Sequence, residues 1–336
     1  MLLAVTVITG LRDPQKHLVL KSLGYETAGE EIESKTDEDF ALVLAEQLVA
    51  SAEDGARGRT AVHIPAEADP VEIALVLPRV FAERGRDVAV QDIVAVATAS
   101  DLRALLFREG APDEAVDVDI PEKLALQLEF ATAVVVTDTD AVPPIELLEI
   151  RGLLSKLNPS ATQLELTPAT SLRRFDGGLR RTSAEMFGRT AGWMLELSGV
   201  PLPTTVHGIG CVAYRDPRLF HPARLAAVVD SWLEPADAGL IVRSRGLVRL
   251  ATRADRVGSW STAGEVLALD PTAMTSWEVD TPAGQELVFF GRDLNHDYIT
   301  RVLNSCLLSD EELIAGPREW ETYVDPFPAW NLEHNH

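Results

Sequence analysis

A chain of 336 residues is long enough for two domains with cores of their own, and 46% hydrophobic with 24% charged residues is the composition of a folded soluble protein. The net charge of −22 argues against binding nucleic acid or an anionic membrane through a broad basic surface; it reads first as a charge that keeps the protein soluble, and it does not exclude docking onto a basic protein partner. No uninterrupted run reaches the roughly 20 apolar residues that a membrane-spanning helix needs, and two distant cysteines, Cys211 and Cys306, make neither a disulfide framework nor a zinc cluster, so a reducing cytoplasm is expected.

The start, MLLAVTVITG, lacks a basic leader and a small-residue cleavage pattern and reads as a first strand, not a signal peptide. Its apolar run, Leu2 to Thr9, leads straight into Gly10-Leu-Arg-Asp-Pro-Gln-Lys16-His17. A strand, a glycine, a lysine six positions on and then a helix is the layout of a nucleotide triphosphatase phosphate loop. Further strands are predicted at Thr60–Ile64, Val88–Ala97, Ala133–Thr137 and Thr162–Leu166, rich in Val and Ile on successive residues, as in a parallel sheet buried on both faces. Between them the spacing predicts helices at Pro14–Leu23, Asp37–Ser51, Val71–Glu83, Ser100–Phe107, Pro121–Phe130 and Pro144–Leu157. This alternation predicts an α/β doubly wound fold.

Residues 171–204 change character: SLRRFDGGLRRTS, with a turn at Asp176-Gly-Gly178, precedes a helix-like Ser183–Leu197 and the break at Pro201-Leu-Pro203. From Thr205 onward the pattern is α+β. Strands are predicted at Thr205–Tyr214, Leu240–Arg243, Leu247–Thr252 and Glu286–Phe290, helices at Pro222–Trp232 and His296–Leu307, and Ser309 as the N-cap of a short acidic helix. Five of the six tryptophans fall here (Trp232, Trp260, Trp277, Trp320 and Trp330) and are expected to anchor a second core.

Tyr214-Arg-Asp-Pro-Arg-Leu-Phe-His221-Pro222, the Arg243-Ser-Arg-Gly246 segment read as a turn, Gly258-Ser-Trp260-Ser, Leu307-Leu-Ser-Asp310-Glu-Glu312 and Asp325-Pro-Phe-Pro-Ala-Trp330 follow one another in the order seen in the CobW-like GTPases. The chain resembles that family over nearly its whole length. The resemblance implies a phosphate-loop NTPase-like parallel sheet with helices on both faces over residues 1–170, a linker and helix over 171–204, and a smaller CobW C-terminal-like α+β domain over 205–333. It also places a remnant nucleotide site at Gly10, Lys16, His17 and Asp140.

The departures from that family matter more than the match. A phosphate loop needs glycines, so that consecutive backbone N–H groups face the phosphates, with a lysine on the β/γ-phosphates and a Ser/Thr hydroxyl on Mg²⁺. Lys16 is present, but Asp13 stands where the family has glycine, Pro14 removes an N–H, Gln15 replaces the glycine before the lysine, and His17 replaces the hydroxyl. Imidazole is a poor partner for Mg²⁺. Asp13-Pro14 makes a good helix start on ordinary grounds. The guanine-reading Asn-Lys-x-Asp is Thr137-Asp138-Thr139-Asp140, which also reads as polar residues at a strand end. Only the 45 residues 18–62 separate the loop from His63-Ile-Pro-Ala-Glu-Ala-Asp69-Pro70, and no Cys-x-Cys-Cys occurs there. Glu67 and Asp69 are the acids left as candidates for directing water or metal.

Of the seven histidines only His334 and His336 are close in sequence, and they sit at a tail; His221 before Pro222 reads as a helix entry. The basic cluster Arg173, Arg174, Arg180 and Arg181 reads first as solvated linker and otherwise as a site for an anion or acidic partner. No catalytic residue is selected, and neither a resident metal nor another cofactor is expected, with GTP and Mg²⁺ disfavoured. The expected role is a non-catalytic pseudo-GTPase that binds a protein partner, which the resemblance extends to zinc limitation and to the ribosome or a ribosome-associated factor. The alternative is a GTP-dependent metallochaperone, a GTP hydrolase with a divergent phosphate loop.

Overall fold

In the computed structural model of the chain, the described residues are 3–25, 37–53, 58–66, 68–85, 88–109, 119–167, 172, 190–232, 235–264, 266–278 and 281–330. They divide into two compact units. The first comprises 1–103, 112–115 and 123–191, and the second 104–111, 116–122 and 192–336.

The first unit is built on five strands, β1 (Leu3–Gly10), β2 (Gly58–His63), β3 (Val88–Thr98), β4 (Ala133–Thr137) and β5 (Thr162–Glu165). Their order is β2-β1-β3-β4-β5 and every pairing is parallel. Side chains alternate across a strand, and β1 shows the consequence. Leu3, Val5 and Val7 pack with α2 (Asp37–Glu53) and α3 (Pro70–Glu83) through Phe40, Leu44, Ile73 and Leu77. Ile8 points the other way, into a cluster with Val19 and Leu20 of α1 (Asp13–Leu23) and with Val94, Val96 and Val135. The sheet is therefore covered by helices on both faces, as expected from its unbroken Val/Ile runs. The helix expected at Ser100–Phe107 is instead a short turn, α4 (Ala99–Asp101), capped by the Thr98 hydroxyl, followed by a π-helical turn at Leu102–Leu106. That wider turn carries the buried Arg103, whose guanidinium reaches Glu149 at 2.7 Å and Glu146 at 3.3 Å on α6 (Pro144–Leu157). Between these two elements lies α5 (Ile120–Phe130).

The second unit contains an antiparallel six-stranded sheet, ordered β10-β9-β8-β11-β7-β6. Its strands are β6 (Thr205–Val206), β7 (Ile209–Asp216), β8 (Leu240–Val248), β9 (Arg256–Ala263), β10 (Val266–Thr275) and β11 (Gln285–Arg292). Leu225 and, from the helix His296–Cys306, Ile299 and Leu303 pack on Val212, Tyr214, Phe289 and the fully buried Trp260. Several expectations are corrected here. Thr205–Tyr214 is two strands, because His207 and Gly208 both take positive φ (48° and 85°), the conformation of a two-residue hairpin turn. Arg243–Gly246 lies inside β8 and is no turn. A methyl at Gly246 would run into the Glu286 carbonyl oxygen on β11, so the glycine serves close strand approach. The strand expected at Leu247–Thr252 ends at Val248, and Ala251–Arg253 is a 3₁₀ turn. β9 and β10 were not anticipated from the sequence. Of the tryptophans expected to anchor this core, Trp260 is fully buried within it, whereas Trp277 is 81% exposed. Ser309 caps Asp310–Ala315 as expected, in a reciprocal capping box with Glu312.

Candidate functional site

The candidate site lies where β1 turns into α1. Gly10, the last residue of β1, has φ 155°, and a methyl there would run into the carbonyl oxygen of Val96 on β3. The packing of two parallel strands thus requires this glycine without reference to any ligand. Arg12 follows, its Nε and Nη2 both donating to the buried carboxylate of Asp101 at 2.6 Å; this bidentate pairing neutralises both groups. Asp13 and Pro14 then open α1, the acid in the first turn and the proline at the first positions.

Lys16 is completely buried. Its Nζ donates to the carbonyl oxygen of Ile64 at 2.5 Å, just beyond β2, and lies 2.7 Å from Oδ1 of Asp13. That hydrogen bond holds the Asp13 carboxyl below its ordinary range against a smaller opposing effect of burial. His17, one residue on, is exposed, with Nδ1 2.8 Å from the Asp13 carbonyl oxygen. A carbonyl only accepts, so Nδ1 donates; in the neutral ring that tautomer leaves Nε2 as the nitrogen with the lone pair. The His17 ring meets that of His63, centres 4.7 Å apart and planes tilted by 53°. Burial lowers the His63 pKa, and the positive fields of His17 and Lys16 lower it further.

Gln15 donates to Asp138 Oδ2 at 3.3 Å, linking the loop to the end of β4, where Asp138 takes a positive φ of 54°. Asp140 is exposed on the 3₁₀ turn Thr139–Ala141. The structure thus places Gly10, Lys16 and His17 on one turn and brings the Thr137–Asp140 segment to it through Gln15. A shallow space lies beside them, lined among others by Leu11, Arg12, Gln15, Thr98 and Asp101, and the charges lining it, Arg12 and Asp101, already neutralise each other.

This arrangement does not fit a nucleoside triphosphate with Mg²⁺. The lysine that would meet the phosphates is committed to Ile64 and Asp13, an exposed carboxylate stands in their path, Pro14 offers no N–H, and an imidazole occupies the hydroxyl position. No motif in the sequence connects His63 to His17 or Arg12 to Asp101. The parallel register that pairs Ile8 with His63 brings the first two together, and no local spacing signals it.

Other candidates resolve into structural roles or fall outside the described residues. Asp69 caps α3 by accepting from Val71 N–H at 2.7 Å. The N–H of His221 donates to Cys306 O at 2.8 Å, and its ring stacks on Tyr323 at 4.6 Å at the entry to the helix Pro222–Trp232. Cys306 is buried, its thiol pushed up to about 11 by burial, and Cys211 is half-buried. Glu67, the arginines Arg173, Arg174, Arg180 and Arg181, and the tail His334 and His336 lie outside the described residues. Among the described residues no group of three or more His, Cys, Asp or Glu side chains is arranged to hold a metal ion, and no helix is long and apolar enough to cross a membrane.

Comparison with known proteins finds that residues 209–307 match the cobalamin synthesis protein cobW C-terminal domain. Zinc-regulated GTPase metalloprotein activator 1 of Dictyostelium discoideum is 29% identical over 223 residues, 60% of this chain and 46% of that protein, so the chain spans less than half of that relative's length. Zinc chaperone Rv0106 of Mycobacterium tuberculosis is 28% identical over 315 residues, covering 83% of this chain and 74% of the relative. Among solved structures, Zn(II)-bound YjiA GTPase from E. coli aligns over 92% of this chain and 100% of its own, with 15% identity and a TM-score of 0.37.

Proposed function

We propose that this chain, whose residues 209–307 match the CobW C-terminal domain, is a metal-homeostasis protein that has lost nucleotide chemistry and acts by binding a protein partner. The observation that carries the reading is the fate of Lys16, the one charged residue of the phosphate loop still in place. Its ammonium is sealed from solvent and satisfied by Ile64 and Asp13. Freeing it for a phosphate would leave the Ile64 carbonyl without its donor and would bring Asp13 against the incoming anion, a cost the triphosphate would have to overcome before gaining any contact. The relatives named as a zinc-regulated metalloprotein activator and a zinc chaperone support the metal-homeostasis setting. The charge of −22 supports a basic protein surface as the partner, a description that includes a ribosome-associated factor recruited when zinc is scarce.

The relatives' names also favour a second reading, a GTP-dependent metallochaperone, and one experiment separates the two. The purified chain is titrated with labelled GTP and GTPγS in the presence of Mg²⁺ while phosphate release is followed. No saturable binding and no hydrolysis are expected. Micromolar, Mg²⁺-dependent binding overturns the pseudo-GTPase reading. A variant with glycines at positions 13 and 15 and His17→Thr is expected to remain inactive, because the segment between the loop and His63 is not replaced; hydrolysis by that variant would show that the loop alone was limiting.

A further inference from the structure

We propose that His17 and His63 form a two-imidazole binding site for a borderline divalent transition metal, with Zn²⁺ the ion it suits best. Two imidazoles bound to one tetrahedral zinc at 2.0–2.1 Å have ring centres about 5 Å apart. The separation of 4.7 Å between the centres of the His17 and His63 rings, with planes tilted by 53° rather than stacked, is close to that value.

The environment supports the assignment at three points. Metal-bound histidines nearly always donate their second ring N–H to a carbonyl or carboxylate, which fixes the tautomer and aims the other nitrogen. His17 makes that contact with the Asp13 carbonyl oxygen, so its Nε2 lone pair is available. His63 is half-buried at the end of β2, which holds its ring against that of His17. The adjacent Lys16 would repel a dication if it stood alone, but its charge is matched by Asp13 at 2.7 Å. Asp13 is held by that lysine and enters as local negative charge, not as a ligand. Two protein ligands leave the other coordination positions to water, the character of an exchangeable site, in contrast to the closed four-ligand sets of structural zinc. Where a phosphate loop would hold Mg²⁺ through a hydroxyl, this chain presents nitrogen ligands suited to a softer ion.

The inference does not depend on the loss of nucleotide binding: a chain that bound both GTP and zinc would overturn the pseudo-GTPase reading and leave the metal site standing. The test uses the full chain carrying His334→Ala and His336→Ala, so that the tail contributes nothing. This parent is titrated with ZnCl₂ by calorimetry, and its bound zinc is characterised by X-ray absorption at the zinc edge. One ion per chain with two imidazole nitrogens in its shell is expected. His17→Ala, His17→Gln and His63→Ala should each weaken binding by at least about tenfold, the low end of what losing even an outer-shell partner costs, whereas His221→Ala should bind as the parent does. Because His17 is exposed, its two variants keep the test decisive if His63→Ala unfolds. The proposal is overturned if the parent takes up no zinc at about 1 mM, the weak end of specific affinity. It is equally overturned if the His17 variants bind as tightly as the parent, or if the absorption spectrum lacks two imidazoles.

Discussion

Gly10→Ala tests whether this glycine is kept by strand packing or by a bound phosphate. The added methyl has no space: it runs into the Val96 carbonyl oxygen and lies only 3.3 Å from Val96 C and Cβ. Overpacking of that kind costs about 1–3 kcal/mol, and an L side chain forced into the glycine conformation, φ 155°, adds about 1–3 kcal/mol. Relief by movement of β1 would break its pairing with β3, so the two costs overlap and a total of about 3 kcal/mol is expected. For a unit of 150–250 residues each kcal/mol lowers Tm by about 2–4 °C, giving a loss of about 6–12 °C. All six tryptophans fall in the second unit, so their fluorescence does not report this transition. Far-UV circular dichroism, with hydrogen exchange of peptides from β1 and β3, does. A Tm loss under about 2 °C with unchanged exchange would refute the packing explanation and return Gly10 to a ligand-binding role.

Three further outcomes are expected. Glu122→Gln should cost the second unit about 3–5 kcal/mol by tryptophan fluorescence, because the fully buried Arg243 loses the carboxylate that faces it. Burial acts to raise the Glu122 pKa, but Arg243 and the Ser261 hydroxyl together bring it below its ordinary 4.5. Its stabilisation is therefore complete above pH 4.5 and is lost as pH falls through the lower folded value, so the acid limb of the stability profile should flatten in the Gln variant. Trp260→Ala should cost about 3–5 kcal/mol in urea denaturation through lost packing and the lost Nε1–Ser244 hydrogen bond, while Trp277→Ala stays within about 0.5 kcal/mol; equal effects would contradict the burial contrast. Ser309→Ala should cost about 1 kcal/mol and speed exchange in residues 310–315, since the capping box is lost.

The first sheet was legible in the sequence because strands buried on both faces need apolar residues at consecutive positions, and β1, β3 and β4 show that directly. The cap at Ser309 was legible because capping depends on residues three apart. β9 and β10 were not. β9 is rich in Gly, Ser and Thr, and its stability comes from neighbours on both sides, including the Ser244–Thr262 hydroxyl contact across to β8. β10 carries Asp270 and Pro271, which an edge strand tolerates and a sequence pattern reads as a break. Gly246 reads as a turn in the sequence because glycine marks turns and close strand approaches alike, and only the partner strand distinguishes them.

By itself the sequence determined that a phosphate-loop layout had kept one glycine and one lysine and lost its other chemical groups, since that is a matter of residue identity. It could not determine where the lysine points. The tertiary structure decided that: the parallel register of β1 with β2 sets the Ile64 carbonyl over Lys16 and the His63 ring against His17. A buried ammonium takes the nearest acceptors the fold supplies, and here one of the two, the Ile64 carbonyl, comes from 48 residues away in the chain.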